Sequence, residues 1–247
     1  MPDKGRKGNR MKLTLRNALI ALGNPLKSLD YTFAYLSYRK KIARLTGSSM
    51  STIEQLYSEI IDSKFMQDME SRSGSSKEFS HLSMLTPFRA PTLYVMCRIF
   101  KPEIVVETGV ANGYSSSFIL YALETNRKGR LYSIDLPNQP GQEIEKDTGW
   151  LISENIRGRW ELSLGASRKN LPLLLEKLRS IDLFYHDSDH SYENMKFEFE
   201  LAWQYLAKAS LLIADDITDN SFFDEFTAEK SFKSTKLFKQ GIIIKEG

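Results

Sequence analysis

From about residue 104 onward, short β-branched runs alternate with helical patterns of roughly 10–15 residues. This alternation predicts an α/β fold, a doubly wound and mostly parallel sheet covered on both faces. Two further observations agree. The chain closes on two short strands, Lys236–Lys239 and Ile242–Lys245, with Gly241 between them; no crossover helix fits there, so one strand of the pair runs antiparallel. The composition is ordinary for a globular protein, with 247 residues, 41% apolar and 26% charged, enough for one large domain with an N-terminal extension.

The elements follow in order. Residues 1–12 read as a disordered basic tail. Residues 13–79 read as a helical extension and linker, serving as a lid or an oligomer contact. Within it, apolar residues recur at helical spacing from Leu13 to Leu45, interrupted by the turn Gly23-Asn24-Pro25. Tyr31, Phe33, Tyr35, Leu36 and Tyr38, followed by Arg39-Lys40-Lys41, form an aromatic and basic segment expected to pack on protein rather than lie on a membrane. Ser51-Thr-Ile-Glu54 is a capping box, predicting a helix from Thr52 to Met69, and residues 71–76 read as a linker. The main domain is expected over residues 80–247. Its strands are Ile104–Glu107, Leu131–Asp135, Trp160–Leu164, Ile181–Asp187 and Ser210–Asp215. Its helices are Ser115–Glu124, Trp150–Ile156, Ser167–Leu178 and Tyr192–Leu206, with a polar helix around 220–230.

Composition excludes several classes. The single cysteine, Cys97, rules out a disulfide framework and a zinc site built on several thiolates. No run of 18 apolar residues exists, and no secretory signal is read, which predicts a cytoplasmic protein. The net charge of +3 divides into +9 over residues 1–50 and −6 over the rest. A basic arm on an acidic body points to an anionic partner for the arm, such as a membrane surface.

In parallel sheets, ligands sit outside the carboxyl ends of the strands, where the strand order reverses. The first strand ends in Glu107-Thr-Gly109-Val-Ala-Asn-Gly113. Two glycines four apart let the backbone turn sharply and approach a ligand at the start of the next helix. No Gly-Lys-Ser/Thr follows, so this is not a phosphate-cradling loop. Asp135 closes the second strand, where a carboxylate can accept both ribose hydroxyls of a nucleoside.

Over about residues 80–247 the sequence resembles the class I S-adenosylmethionine-dependent methyltransferases. The resemblance is carried by ETGVANGYSS (107–116), YSIDLP (132–137), DLFYHDSDHSYENMKFEFE (182–200) and LLIADDI (211–217). The Asp187-Ser-Asp189-His190-Ser-Tyr-Glu stretch followed by Ala-Asp-Asp is similar to the metal-dependent O-methyltransferases, the group that includes macrolide-sugar methyltransferases and cephalosporin-hydroxylase-like proteins. The resemblance implies a Rossmann-like, seven-stranded sheet with an antiparallel C-terminal strand. It implies that Gly109 and the following backbone hold the methionine part of S-adenosylmethionine, and Asp135 the ribose. Glu107, Gly113, Ser115 and Ser167 complete the expected cofactor set. Relatives commonly carry an acid near the adenine after the third strand; here stands Gly165-Ala166-Ser167. His186 and Ser188 depart from an apolar residue and a glycine usual in relatives.

With the fourth and fifth strands adjacent, as the resemblance implies, Asp187, Asp189, His190, Asp215 and Asp216 face one crevice. Clustered carboxylates repel unless a cation neutralises them, and all-oxygen ligation favours Mg²⁺ or Mn²⁺. By resemblance the metal ligands are Asp187, Asp215 and Asp216, with His190 as general base. Asp189 or Ser191 has a plainer role as N-cap of the helix beginning at Tyr192. The expected activity is metal-assisted methyl transfer to a hydroxyl of a sugar, glycoconjugate or small natural product. The alternatives are a metal-independent methyltransferase and a catalytically silent scaffold tethered by the basic arm. The acidic body argues against nucleic acid as partner, and the aromatic N-terminal helices make a homo-oligomer or a lid the expected roles of the extension.

Overall fold

The computed structural model describes residues 37–73, 86–136, 147–228 and 232–246. The expected basic tail, the helical stretch up to residue 36 with its Gly23-Asn24-Pro25 turn, residues 74–76 of the linker and residues 77–85 and 137–146 lie outside them. The chain divides into two compact units, the first ending at Lys64 and the second running from Phe65 to Gly247.

In the first unit, residues 37–46 are helical and are followed by helix α1, Met50–Ile61. The capping box is displaced by two residues. Ser49, not Ser51, is the N-cap, its hydroxyl accepting the Thr52 amide at 3.1 Å, and Glu54 stays exposed. The helix stops at Asp62 rather than running to Met69. A second helix, α2 (Lys64–Ser73), follows and covers the first three residues expected to be linker. It belongs mostly to the larger unit: Phe65 stacks on Tyr121 at 4.3 Å between centroids and meets Phe118 edge-on at 5.2 Å.

The larger unit continues with α3 (Thr86–Phe100), β1 (Ile104–Thr108), α4 (Tyr114–Asn126), β2 (Arg130–Asp135), α5 (Glu154–Arg157), β3 (Trp160–Leu164), α6 (Ser167–Leu178), β4 (Ile181–His186), α7 (Tyr192–Tyr205), β5 (Leu206–Ala214), α8 (Phe222–Ala228), β6 (Lys233–Leu237) and β7 (Gln240–Lys245). These strands form one seven-stranded sheet in the order β3-β2-β1-β4-β5-β7-β6. The β2–β1, β2–β3, β1–β4 and β4–β5 pairs are parallel, and β7 runs antiparallel to both β5 and β6. The order reverses between β1 and β4, which makes their carboxyl ends the switch point.

Three expectations are corrected. The strand expected at Lys236–Lys239 lies at Lys233–Leu237, because the turn falls at Phe238-Lys239. The expected helix at Trp150–Ile156 shrinks to Glu154–Arg157, the residues before it being a turn. The helix near 220–230 is amphipathic rather than polar: Phe222, Phe223 and Phe226 are buried and meet Phe199 edge-on. That aromatic cluster joins Val106, Phe184, Leu212 and Ile243 in a core on one face of the sheet. Among the described residues no helix is long and apolar enough to cross a membrane.

Candidate active site

The four central strands end almost level. Thr108 is in register with Ile134 on one side and His186 on the other, and His186 with Ala214. The ladder continues one residue further, with Gly109 N donating to Ile134 O at 2.8 Å, Asp187 N to Thr108 O at 2.8 Å and Asp215 N to His186 O at 2.9 Å. Asp135, Gly109, Asp187 and Asp215 therefore stand in one row across the switch point.

Gly109 holds φ at +85°, and a Cβ there would lie 1.9 Å from the Asp187 carbonyl oxygen. Only glycine lets the turn after β1 pass this close to the turn after β4. Asp135 braces the same turn. Its Oδ1 accepts the Val110 amide at 2.8 Å and the Ala111 amide at 3.3 Å, and the Thr148 hydroxyl donates to Oδ2 at 3.2 Å. Glu107 is fully buried beneath it. Ser116 and Ser133 donate to its Oε2 at 2.7 Å each, and Ser115 to Oε1 at 3.2 Å. Burial pushes the Glu107 carboxyl up to about 8, against the pull of those hydroxyls. Glu107 and Ser115 together fix the start of α4 to β1. Gly113 sits at φ +85° as the N-cap of α4, against Ile152 and Gly149.

Sequence reasoning missed the apolar rim beside Asp135. Leu136, directly after β2, and Leu164, the last residue of β3, are exposed at 47% and 57%. Ser167 opens α6, and its hydroxyl supports the charge of Glu198.

The departures at His186 and Ser188 resolve into one buried network. His186 and Glu198 are both fully buried, with Nδ1 and Oε2 2.7 Å apart. Thr108 donates to the same oxygen at 2.5 Å, while Ser188 and Asn194 donate to Oε1 at 2.8 and 3.0 Å. Burial would raise the Glu198 pKa, but His186 and the hydroxyls overrule it, so Glu198 stays below the usual carboxylate value. This network ties the ends of β1 and β4 to α7, and the His186 ring meets His190 edge-on at 5.6 Å between centroids.

His190 lies between two carboxylates, with Nε2 3.6 Å from Asp187 Oδ1 and Nδ1 3.9 Å from Asp216 Oδ2. Burial lowers its pKa, but Asp187 foremost, then Asp216 and Asp215, raise it above 6.5 overall. Tyr185 donates to Asp187 Oδ2 at 3.1 Å. Ser191 is the N-cap of α7, accepting the Asn194 amide at 3.3 Å, and Asp189 accepts from the Ser191 amide at 3.0 Å, so Ser191 takes the capping role and Asp189 supports it.

Two cations absent from the expected site enter here. Arg89 of α3 donates Nη1 to Asp215 Oδ2 and lies 3.4 Å from Asp216 Oδ1. Lys239 places Nζ 3.2 Å from both Asp216 Oδ1 and Asp219 Oδ1. Burial and the charge of Asp187 still lift Asp215 to about 7, with Arg89 pulling the other way. Of the expected ligand trio of Asp187, Asp215 and Asp216, Arg89 thus engages Asp215 Oδ2, and Arg89 and Lys239 both face Asp216 Oδ1, positions in which they compete with a divalent ion. Among the described residues, the ligand atoms that do converge, within 4.8 Å, belong to His190, Asp216 and Asp219. Lys239 bridges two of these, and a ligating His190 could not also accept a proton.

Residues 106–217 match the family model of a methyltransferase domain. No curated protein matches the chain. Solved structures share the fold. An O-methyltransferase from Streptomyces achromogenes, TomG, involved in tomaymycin synthesis and determined with S-adenosylmethionine, is 13% identical over 74% of this chain and 89% of its own, with a TM-score of 0.55. An O-methyltransferase from Bacillus cereus, determined with S-adenosylhomocysteine, is 16% identical over 78% of this chain and 97% of its own, with a TM-score of 0.55. A methyltransferase from Geobacter sulfurreducens is 21% identical over 74% and 88%, with a TM-score of 0.54.

Proposed function

We propose that this chain, whose residues 106–217 match a methyltransferase domain and whose fold is shared by O-methyltransferases of solved structure, transfers a methyl group from S-adenosylmethionine to a hydroxyl of a small molecule or glycan, with His190 as general base. The observation that carries this reading is the position of His190, held between Asp187 and Asp216 beside the glycine turn. Gly109 and the backbone after it would hold the methionine part of the cofactor, Asp135 the ribose, and Leu136 with Leu164 the adenine. The chemistry of the residues fits: a carboxylate for a diol, flanked by exposed apolar side chains for a purine. When bound, the cofactor supplies an electrophilic sulfonium methyl group, whose S–C bond breaks as the O–C bond forms.

A neutral alcohol is a poor nucleophile, so its proton must leave as the oxygen attacks. His190 accepts that proton, and the flanking Asp187 and Asp216 stabilise the resulting imidazolium. Asp187 also accepts from Tyr185, which fixes its carboxylate toward the histidine. The net charge of −6 on residues 51–247 disfavours a phosphate backbone, which supports a small or glycan acceptor.

Calorimetric titration of S-adenosylmethionine tests the cofactor half. One-site saturable binding is expected, weakened on the order of tenfold or more by Asp135→Ala. An absence of both heat and thermal stabilisation at millimolar cofactor would sink the reading. His190→Ala is then expected to retain cofactor binding and to lose turnover by about 10²–10⁴-fold.

A further inference from the structure

We propose that Arg89 and Lys239 stand where the resemblance to metal-dependent O-methyltransferases would place a divalent cation, so that this site neutralises its carboxylates with its own side chains and needs no metal ion. The inference rests on the methyltransferase reading only for the reaction it serves.

Four of the six carboxylate oxygens of Asp187, Asp215 and Asp216 already have donors. Asp215 Oδ2 accepts from Arg89, and Asp215 Oδ1 accepts the Asp216 amide at 3.0 Å. Asp216 Oδ1 faces Arg89 Nη1 at 3.4 Å, Nη2 at 3.5 Å and Lys239 Nζ at 3.2 Å. Asp187 Oδ2 accepts from Tyr185 at 3.1 Å, leaving its Oδ1 toward His190. Mg²⁺ demands near-octahedral oxygen ligation, and few lone pairs remain free to supply it. The charges also match: one guanidinium and one ammonium together carry the charge of one divalent ion.

Arg89 is no loose surface chain, and Lys239, whose side chain is 42% exposed, is placed by its backbone. The Arg89 side chain is only 16% exposed. The Lys239 carbonyl accepts the Ile217 amide at 2.8 Å, which pins β7's entry to the loop carrying Asp215 and Asp216. The next residue, Gln240, is fully buried and reaches the Arg89 carbonyl at 3.5 Å. The start of α3, the start of β7 and the loop after β5 thus form one unit that delivers both cations to the acids. Arg89 and Lys239 act as positioning residues: by holding Asp215 and Asp216, they leave Asp187 free to pair with His190.

Mn²⁺ is the probe, titrated into the full chain and followed by the loss of its free electron paramagnetic resonance signal. Wild type is expected to leave the free signal undiminished up to millimolar metal. The Arg89→Met/Lys239→Met double variant is expected to gain one Mn²⁺ site, with affinity raised on the order of tenfold or more. A further Asp216→Asn change should abolish that site, and Arg89→Lys should keep the wild-type behaviour. Stoichiometric Mn²⁺ binding by wild type that disappears in Asp216→Asn would overturn the proposal, and this needs no destabilising variant. A folded double variant that gains no site would overturn it as well. Cofactor calorimetry on the same samples reads the methyltransferase assignment separately, so either conclusion can fail alone.

Discussion

Burial pushes the Glu107 carboxyl up to about 8, so replacing it should reshape the dependence of stability on pH. The carboxyl is fully buried, with three serine hydroxyls donating to it. Burial carries its pKa from the ordinary 4.5 to about 8. The native state therefore keeps a proton that the unfolded chain releases above pH 4.5. The stabilising contribution is complete below that value and is lost as pH rises, until the native carboxyl also ionises near pH 8. Each unit of displacement is worth about 1.4 kcal/mol, so the whole window amounts to roughly 5 kcal/mol. About 2.5–3 kcal/mol of this falls between pH 6 and pH 9. Glu107→Gln keeps the shape of the protonated acid but does not titrate. The protonated acid already turns one serine to accept its O–H; the amide carries a second N–H, which costs on the order of 1 kcal/mol to leave unsatisfied. Urea melts at pH 6 and pH 9 test this, followed by tryptophan fluorescence, since Trp160 donates to Ser133 at 2.9 Å beside the acid. From pH 6 to pH 9 the stability difference should move in the variant's favour by roughly 2.5–3 kcal/mol. Parallel pH profiles for the two proteins would refute the argument, because they would mean that Glu107 is already ionised in the native state.

Other perturbations have equally definite outcomes. Gly109→Ala sets a methyl group 1.9 Å from the Asp187 carbonyl at a φ of +85°, and thermal melts should show a loss of more than about 3 kcal/mol. Phe199→Ala empties the centre of the aromatic cluster formed with Phe222, Phe223 and Phe226; denaturant titration should give a loss of about 3–5 kcal/mol. His190, lifted above 6.5 chiefly by Asp187, should show its ring-proton resonance titrating above that value. Asp187→Asn should shift this transition to lower pH. Since the base must be neutral, turnover should rise with pH through the same transition and move with it.

Much of this was legible in the sequence wherever the signal was local. Strands β1 to β4 follow from short β-branched runs, and Trp160–Leu164 and Ser167–Leu178 lie where periodicity puts them. Ser49 and Ser51 illustrate the limit of local rules. Both can cap, and the side chain that meets the Thr52 amide decides between them. Strand β6, Lys233–Leu237, is mostly polar and exposed, so its place is set by pairing with β7 rather than by its own pattern. The bulge in β5 has a similar origin: its register against β4 shifts between Ile181 and Leu183, which hides the strand's first residues from any periodic reading.

Charge placement is the part a linear reading handles least well, and it decides the chemistry. The acids at the ends of β4 and β5 stand out because strand ends gather them in two short motifs. Their cations do not: Arg89 lies 126 residues from Asp215 in the chain, inside a helix whose composition gives it no distinction. Acids gathered by adjacent strands invite a metal ion for as long as only the acids are visible. Once the fold returns Arg89 and Lys239 to them, the same acids are nearly satisfied, and the electrostatic need for an ion falls. His186 and Glu198 follow the same rule. Each is anomalous alone, a buried imidazole in a strand and a buried carboxylate in a helix, and each removes the other's desolvation problem at 2.7 Å. Such pairs were chosen jointly by the fold, and an anomaly in the sequence is best read as a search for its missing partner.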